Sequence, residues 1–152
     1  MYMCIWDCRA ATVKLICEVE ADLEKVDSTG RTQLHWAAQH GDIHIVQVLL
    51  GAGSIVNATD PAGYMPLYQA ALERHQDVCK VLLAGGAQPN ELDDVDHCTS
   101  LHCAAWWKGH VPVVQLLLQH GAEQGARNRA GQTALDLACQ FGHTGVVNML
   151  HS

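Results

Sequence analysis

GRTQLHWAAQHGD, residues 30–42, decides how the chain is read. Leu34, Ala37 and Ala38 stand at i, i+3 and i+4, one face of a helix, and the paired alanines let a second helix approach closely. Gly30 precedes the run, as a tight turn prefers. IVQVLLGAGSIVN follows from Ile45. Its Ile45, Val46, Leu49 and Leu50 form a facing apolar stripe, and Gly53 lies just past the end, where a left-handed cap favours glycine. The stretch therefore reads as two short helices packed back to back. Helices this short are marginal alone and need partners.

The partners are further copies of the same pattern. GYMPLYQAALERH starts at Gly63, HCTSLHCAAWWKGH at His97 and GQTALDLACQFGH at Gly131. VCKVLLAGGAQPN, VVQLLLQHGAEQG and the shorter VVNMLHS follow them. The leucine after the turn recurs at Leu34, Leu67, Leu101 and Leu135, and the closing glycine at Gly53, Gly86 and Gly121. TVKLICEVEADLE, residues 12–24, takes the place of a second run that has no first.

This pattern resembles the ankyrin repeat, with its period of about 33 residues and its T-P-L-H-x-A signature, over nearly the whole chain. The resemblance implies an all-α fold: a solenoid of stacked antiparallel helix pairs joined by hairpin-like β-turns. It implies a single domain over 1–152, with units at about 1–26, 27–59, 60–93, 94–127 and 128–152, the first and last incomplete. The last unit, TALDLACQFGHTGVVNML, is also similar to repeats of scaffold proteins of the Caskin type. The ends of the chain suit a domain excised from a longer protein or an artificial recombination of repeats.

Composition narrows the function. Of 152 residues 49% are apolar, the composition of a folded chain. No apolar run approaches the ~20 residues of a membrane span. MYMCIWDCRA lacks the basic leader and cleavage site of a secretory signal. Seven cysteines, with no C-x-x-C pair, suit buried thiols in a reducing compartment, so an intracellular location, cytoplasmic or nuclear, is expected. A net charge of −7 without clustered Lys and Arg argues against nucleic acid and anionic membrane as partners. Two acidic runs stand out: Glu18 to Asp27, and Glu91, Asp93, Asp94 and Asp96.

The chemistry of catalysis is missing. There is no G-x-S-x-G, no phosphate-binding G-x-x-x-x-G-K-[ST] and no H-E-x-x-H, so neither an enzyme nor a cofactor is expected. Cys98 and His102, four apart, with Cys103 beside them, make the best metal or redox candidate. Cys98 lies in the turn, however, and no second pair follows, so no metal site is assigned. The resemblance implies that His35 and His102 bond to Thr32 and Thr99 and to the turn backbone. Tyr68 and Asp136 replace that histidine in the other two units, and Met65 replaces the threonine. His75, His110 and His143, opening each second helix, read as surface or capping residues.

Departures from the repeat say more. One extra residue falls in NELDDVDH, where His97 also takes the turn glycine's place, and another in AAWWKG. Gly125 takes the place of a loop asparagine. The resemblance implies that partners contact the turn tips and the exposed side of the first helices. At those positions stand Arg31, Tyr64, Leu72, Asp96, Trp106, Trp107, Gln132 and Phe141. At about 100° per residue Trp106 points away from the Leu101/Ala104/Ala105 stripe, while Trp107 falls on a flank and is expected to pack against a neighbour. A non-enzymatic scaffold or adaptor, monomeric, is the leading expectation, with Trp106 as anchor and the acidic loop favouring a basic, partly apolar partner. An inhibitor of a kinase or transcription factor, and a metal- or redox-responsive switch at Cys98, His102 and Cys103, are the alternatives.

Overall fold

The computed structural model describes residues 23–152, and over them the backbone forms eight helices and no strand. They are α1 (Gln33–His40), α2 (Ile43–Gly51), α3 (Pro66–Leu72), α4 (Gln76–Ala84), α5 (Ser100–Trp106), α6 (Val111–Gln119), α7 (Ala134–Gln140) and α8 (Thr144–His151). The first helices pack in one row, α1 on α3 on α5 on α7, and the second helices in another, α2 on α4 on α6 on α8. The two helices of each pair close on one another. The all-α stack of helix pairs anticipated from the repeat is what forms. The headless unit read at 1–26 lies, up to residue 22, outside the described residues.

The stripes named from the sequence carry the core. Leu34, Leu67 and Leu101 are 0–1% exposed, and the pairs Ala37/Ala38, Ala70/Ala71 and Ala104/Ala105 are fully buried. Among the described residues no helix exceeds nine residues, so each depends on burying its stripe against its neighbours. Leu135 differs from its counterparts in being half-buried, while Ala134, Leu137 and Ala138 take the inward places on α7.

The turns have an organiser that the sequence reading missed. Each begins with an Asp or Asn whose Oδ1 accepts two backbone N–H groups: Asp27 from Thr29 and Arg31, Asp60 from Ala62 and Tyr64, Asn128 from Ala130 and Gln132. Two backbone bonds make the turn hairpin-like, as when Asp60 N–H donates to the Tyr64 carbonyl and Gly63 N–H to the Asp60 carbonyl. In NELDDVDH, Asp93 absorbs the extra residue. Its carboxylate is buried and accepts from Val95, Asp96 and Cys98, and the closing bond reaches one residue further, from Asp93 N–H to the Cys98 carbonyl. His97 adopts φ 54°, the left-handed conformation that glycine supplies in the other turns. Asp27 and Asp93, read as members of acidic runs, are therefore turn-builders rather than solvated charge.

Loop asparagines tie the units together. Asn57 donates to the Gly86 carbonyl and accepts from Gln88 N–H, and Asn90 repeats this with Gly121 and Glu123. Gly125, third in that series, has no side chain for such a tie. The insertion in AAWWKG ends α5 at Trp106, leaves Trp107 extended and puts Lys108 at φ 63°.

Candidate protein-binding surface

The histidines that could suggest chemistry are committed to structure. Thr32 caps α1, its N–H donating to Nδ1 of His35 (3.2 Å), while Nε2–H of His35 donates to the Tyr64 carbonyl of the next unit (2.8 Å). His102 repeats this with Thr99 N–H (3.1 Å) and the Gln132 carbonyl (3.0 Å). A carbonyl only accepts, so both rings are neutral with the proton on Nε2. Burial, opposed by those carbonyls, lowers the pKa of each. Asp136 takes the same capping role on α7, accepting from the N–H and hydroxyl of Thr133.

His75 and His143, read from the sequence as surface or capping residues, stand at N-cap positions but serve as ties. Neither side chain caps its helix; His75 Nε2 donates to the Gln39 carbonyl (2.9 Å) and His143 Nε2 to the Trp106 carbonyl (2.9 Å), each reaching back one unit. His110 lacks this tie and its Nδ1 is buried without a partner. The reason lies at the end of the preceding first helix. A Cβ at Gly41 would come within 2.5 Å of the His75 ring and one at Gly109 within 2.4 Å of His143, whereas the position facing His110 is Arg74, at φ 67°.

The cysteine–histidine cluster does not converge. Cys98 precedes the N-cap Thr99, so it shares no helical face with His102, whose two ring nitrogens are both engaged. Cys103 is buried, and burial pushes its thiol up; burial and the Asp93 charge push Cys98 up to about 11. Among the described residues no three His, Cys, Asp or Glu side chains group as a metal site. Of the four described cysteines, Cys79 and Cys103 are buried, while Cys98 is intermediate and Cys139 exposed.

The opposite rule governs the turn tips and helix ends. Across the stack they face one another in pairs eight residues apart: Arg31/Gln39, Tyr64/Leu72, Cys98/Trp106 and Gln132/Gln140. The outer pairs hydrogen-bond, Arg31 to Gln39 and Gln132 to Gln140, both at 2.9 Å. The two central pairs present apolar groups instead. Beside them opens a groove of about 500 Å³ lined by Arg31, Tyr64, Tyr68, Leu72, Trp106 and Trp107, with Glu73, Asp96 and Lys108 adding charge. A second depression of about 260 Å³ collects Asp96, Cys98, Trp106, Arg129, Gln132 and Phe141. All eight residues singled out from the sequence line one or the other, and Trp106 and Asp96 line both.

The aromatic side chains hold one another. Trp106 meets Trp107 edge-on at 5.7 Å and Phe141 at 6.3 Å, and Tyr64 stacks on Tyr68 at 4.4 Å. Trp106, Trp107 and Phe141 remain 38%, 43% and 49% exposed. Trp107, expected to pack against a neighbouring unit, thus leaves much of its surface to solvent, with Lys108 Nζ 5.8 Å from the ring centre. Trp36 donates its indole N–H to Asp27 within its own unit (2.6 Å). Tyr68 was missed as a groove residue because its repeat position normally holds the structural histidine.

A family model described as ankyrin repeats, in three copies, matches residues 1–93, 34–128 and 86–152. The chain belongs to the ankyrin-repeat family. Repeats of this family are in general protein–protein interaction modules. The ankyrin repeat protein nuc-2 of Neurospora crassa is 34% identical over 67% of this chain, which spans 10% of that protein. The putative ankyrin repeat protein FPV223 of fowlpox virus is 30% identical over 90% of the chain and 95% of its own length. A putative palmitoyltransferase of Danio rerio, ZDHHC13, is 30% identical over 95% of the chain, which spans 23% of it. Among the described residues no helix of this ankyrin stack is long and apolar enough to cross a membrane.

Proposed function

We propose that this ankyrin stack is a non-enzymatic protein-binding module, a scaffold or adaptor that receives a partner protein on the row of turn tips and first-helix ends. The observation that carries the reading is the change of character along that row. Where the outer units close polar pairs, the central units leave Tyr64, Leu72, Trp106 and Trp107 lining an open groove. Large exposed aromatics in a fixed concavity are the usual anchors of protein interfaces. The site is built before any partner arrives: Trp106 is held through its carbonyl by His143 and through its ring by Trp107 and Phe141, so little ordering remains on binding.

The test compares proteins retained from cell extract by the intact chain with those retained by a Trp106→Ala/Leu72→Ala variant of native circular dichroism. Partners of this face disappear from the variant. An identical retained set would remove the groove as the binding surface.

A further inference from the structure

We propose, building on the protein-binding reading above, that the depression beside Trp106 and Phe141 receives a basic side chain of the partner, with the Asp96 carboxylate as its counter-charge. The two rings are inclined at 57° and both line the depression; His143 stacks on Phe141 at 6.5 Å, and each ring still leaves surface exposed to a ligand. Ring faces attract cations through the ring quadrupole. Asp96 lines the same depression. Its backbone is pinned, the N–H to the Asp93 carboxylate (2.7 Å) and the carbonyl to Arg129 N–H (2.8 Å), yet among the described residues no cation reaches ion-pair distance of its own carboxylate. An exposed carboxylate without an ion pair, on a pinned backbone and beside two partly exposed rings, has the chemistry of a cation seat.

The cations nearby are already engaged. Arg129 turns its guanidinium to the Asp94 carbonyl (3.3 Å) and to His97 (3.0 Å). In the adjoining groove Arg31 pairs with Asp60 at 3.3 Å, and Lys108 lies over the Trp107 ring. Glu73, in that groove, also has no ion pair. Charges of both signs therefore line the two depressions, and among the described residues the carboxylates of Asp96 and Glu73 make no ion pair. The segment that complements this surface has apolar residues for the Tyr64, Leu72 and Trp107 side, and a lysine or arginine one step along for the Trp106, Phe141 and Asp96 side.

A random peptide library displayed on phage, selected against the full chain, supplies the probe, and recovered peptides are titrated by calorimetry. Recovered sequences are expected to carry a basic residue next to apolar ones. Asp96→Asn, which preserves size, and Phe141→Leu, which preserves apolar bulk, each weaken them on the order of tenfold. Affinity for the intact chain also falls as salt rises, less steeply in Asp96→Asn. Ile55→Ser, at an exposed position outside both depressions, leaves binding unchanged. Peptides without a basic residue, or basic peptides indifferent to Asp96→Asn and Phe141→Leu, overturn the cation seat while leaving the groove. Indifference to Trp106→Ala and Leu72→Ala as well overturns the groove itself, and failure to recover any peptide counts against both.

Discussion

At the scale of single residues, the molecule stores a pH dependence in two buried imidazoles. His35 and His102 are neutral because Nε2–H faces a carbonyl and Nδ1 faces a donor, so a second proton would oppose the N–H of Thr32 or Thr99. Burial first, and this geometry with it, puts the folded pKa of both below the unfolded value of about 6.5. Below that value the unfolded chain binds protons that the folded chain refuses. Stability is thus full above pH 6.5 and falls as acid is added. The urea midpoint is expected to drop between pH 7.5 and 5.5, and a flat profile would rule the account out. A second loss follows at lower pH. Burial works to raise the Asp27 carboxyl, but hydrogen bonds from Thr29, Arg31 and Trp36 prevail and hold it at about 2. Its contribution is present above about pH 4 and lost as pH falls from there towards 2.

At the scale of the element, the end of each first helix is where the repeat works or fails. Gly41 combines φ 75° with a His75 ring that leaves no room for a Cβ. Gly41→Ala is therefore expected to cost about 1–2 kcal/mol for the left-handed backbone alone, more with the clash, read from the urea midpoint. Arg74 offers the converse. It holds the same backbone conformation without glycine and faces a histidine whose Nδ1 has no partner. Arg74→Gly should gain about 0.5–1 kcal/mol, provided His110 settles as His75 does; an unchanged or lower midpoint would show that the side chain, not the backbone, matters there. These elements also mark what the sequence discloses. Helix pairs, alanine contacts and turn glycines are legible because period and residue size alone dictate them. Asp27, Asp60, Asp93 and Asn128 were not, because an acid or amide in a loop looks the same whether it accepts from backbone N–H groups or faces water. Nor were the histidine ties, since the bond of His75 to Gln39 spans 36 residues and no local pattern announces it. The groove residues were legible for a different reason: resemblance to the repeat marked turn tips and first-helix ends, and spacing added that Trp106 points away from the core, while Tyr68 escaped because its position normally holds the structural histidine.

At the scale of the whole molecule, stability is distributed along a line. Each helix pair packs on its neighbours in the stack, so the chain holds through a series of interfaces rather than one centre. Leu101 sits at 1% exposure on α5, between α3 and α7. Leu101→Ala is expected to cost about 2–5 kcal/mol, as deletion of a buried leucine does. In a linear stack that loss does not spread evenly. The interfaces on either side of α5 weaken, while α1 and α2 keep their contacts with each other and with α3 and α4. Hydrogen exchange should therefore accelerate most in α5 and the helices packed on it, and least in α1 and α2. Equal acceleration in all eight helices would instead mean that the stack unfolds as a single unit. The distinction reaches the surface, because the groove is assembled from residues on successive pairs: Arg31 and Gln39 on the first, Tyr64 and Leu72 on the next, Trp106 and Trp107 on the third. If α5 loosens ahead of its neighbours, Leu101→Ala should weaken every ligand of the groove at temperatures where the helix content of the chain is still native, a loss of binding without loss of fold that circular dichroism and titration on the same sample separate.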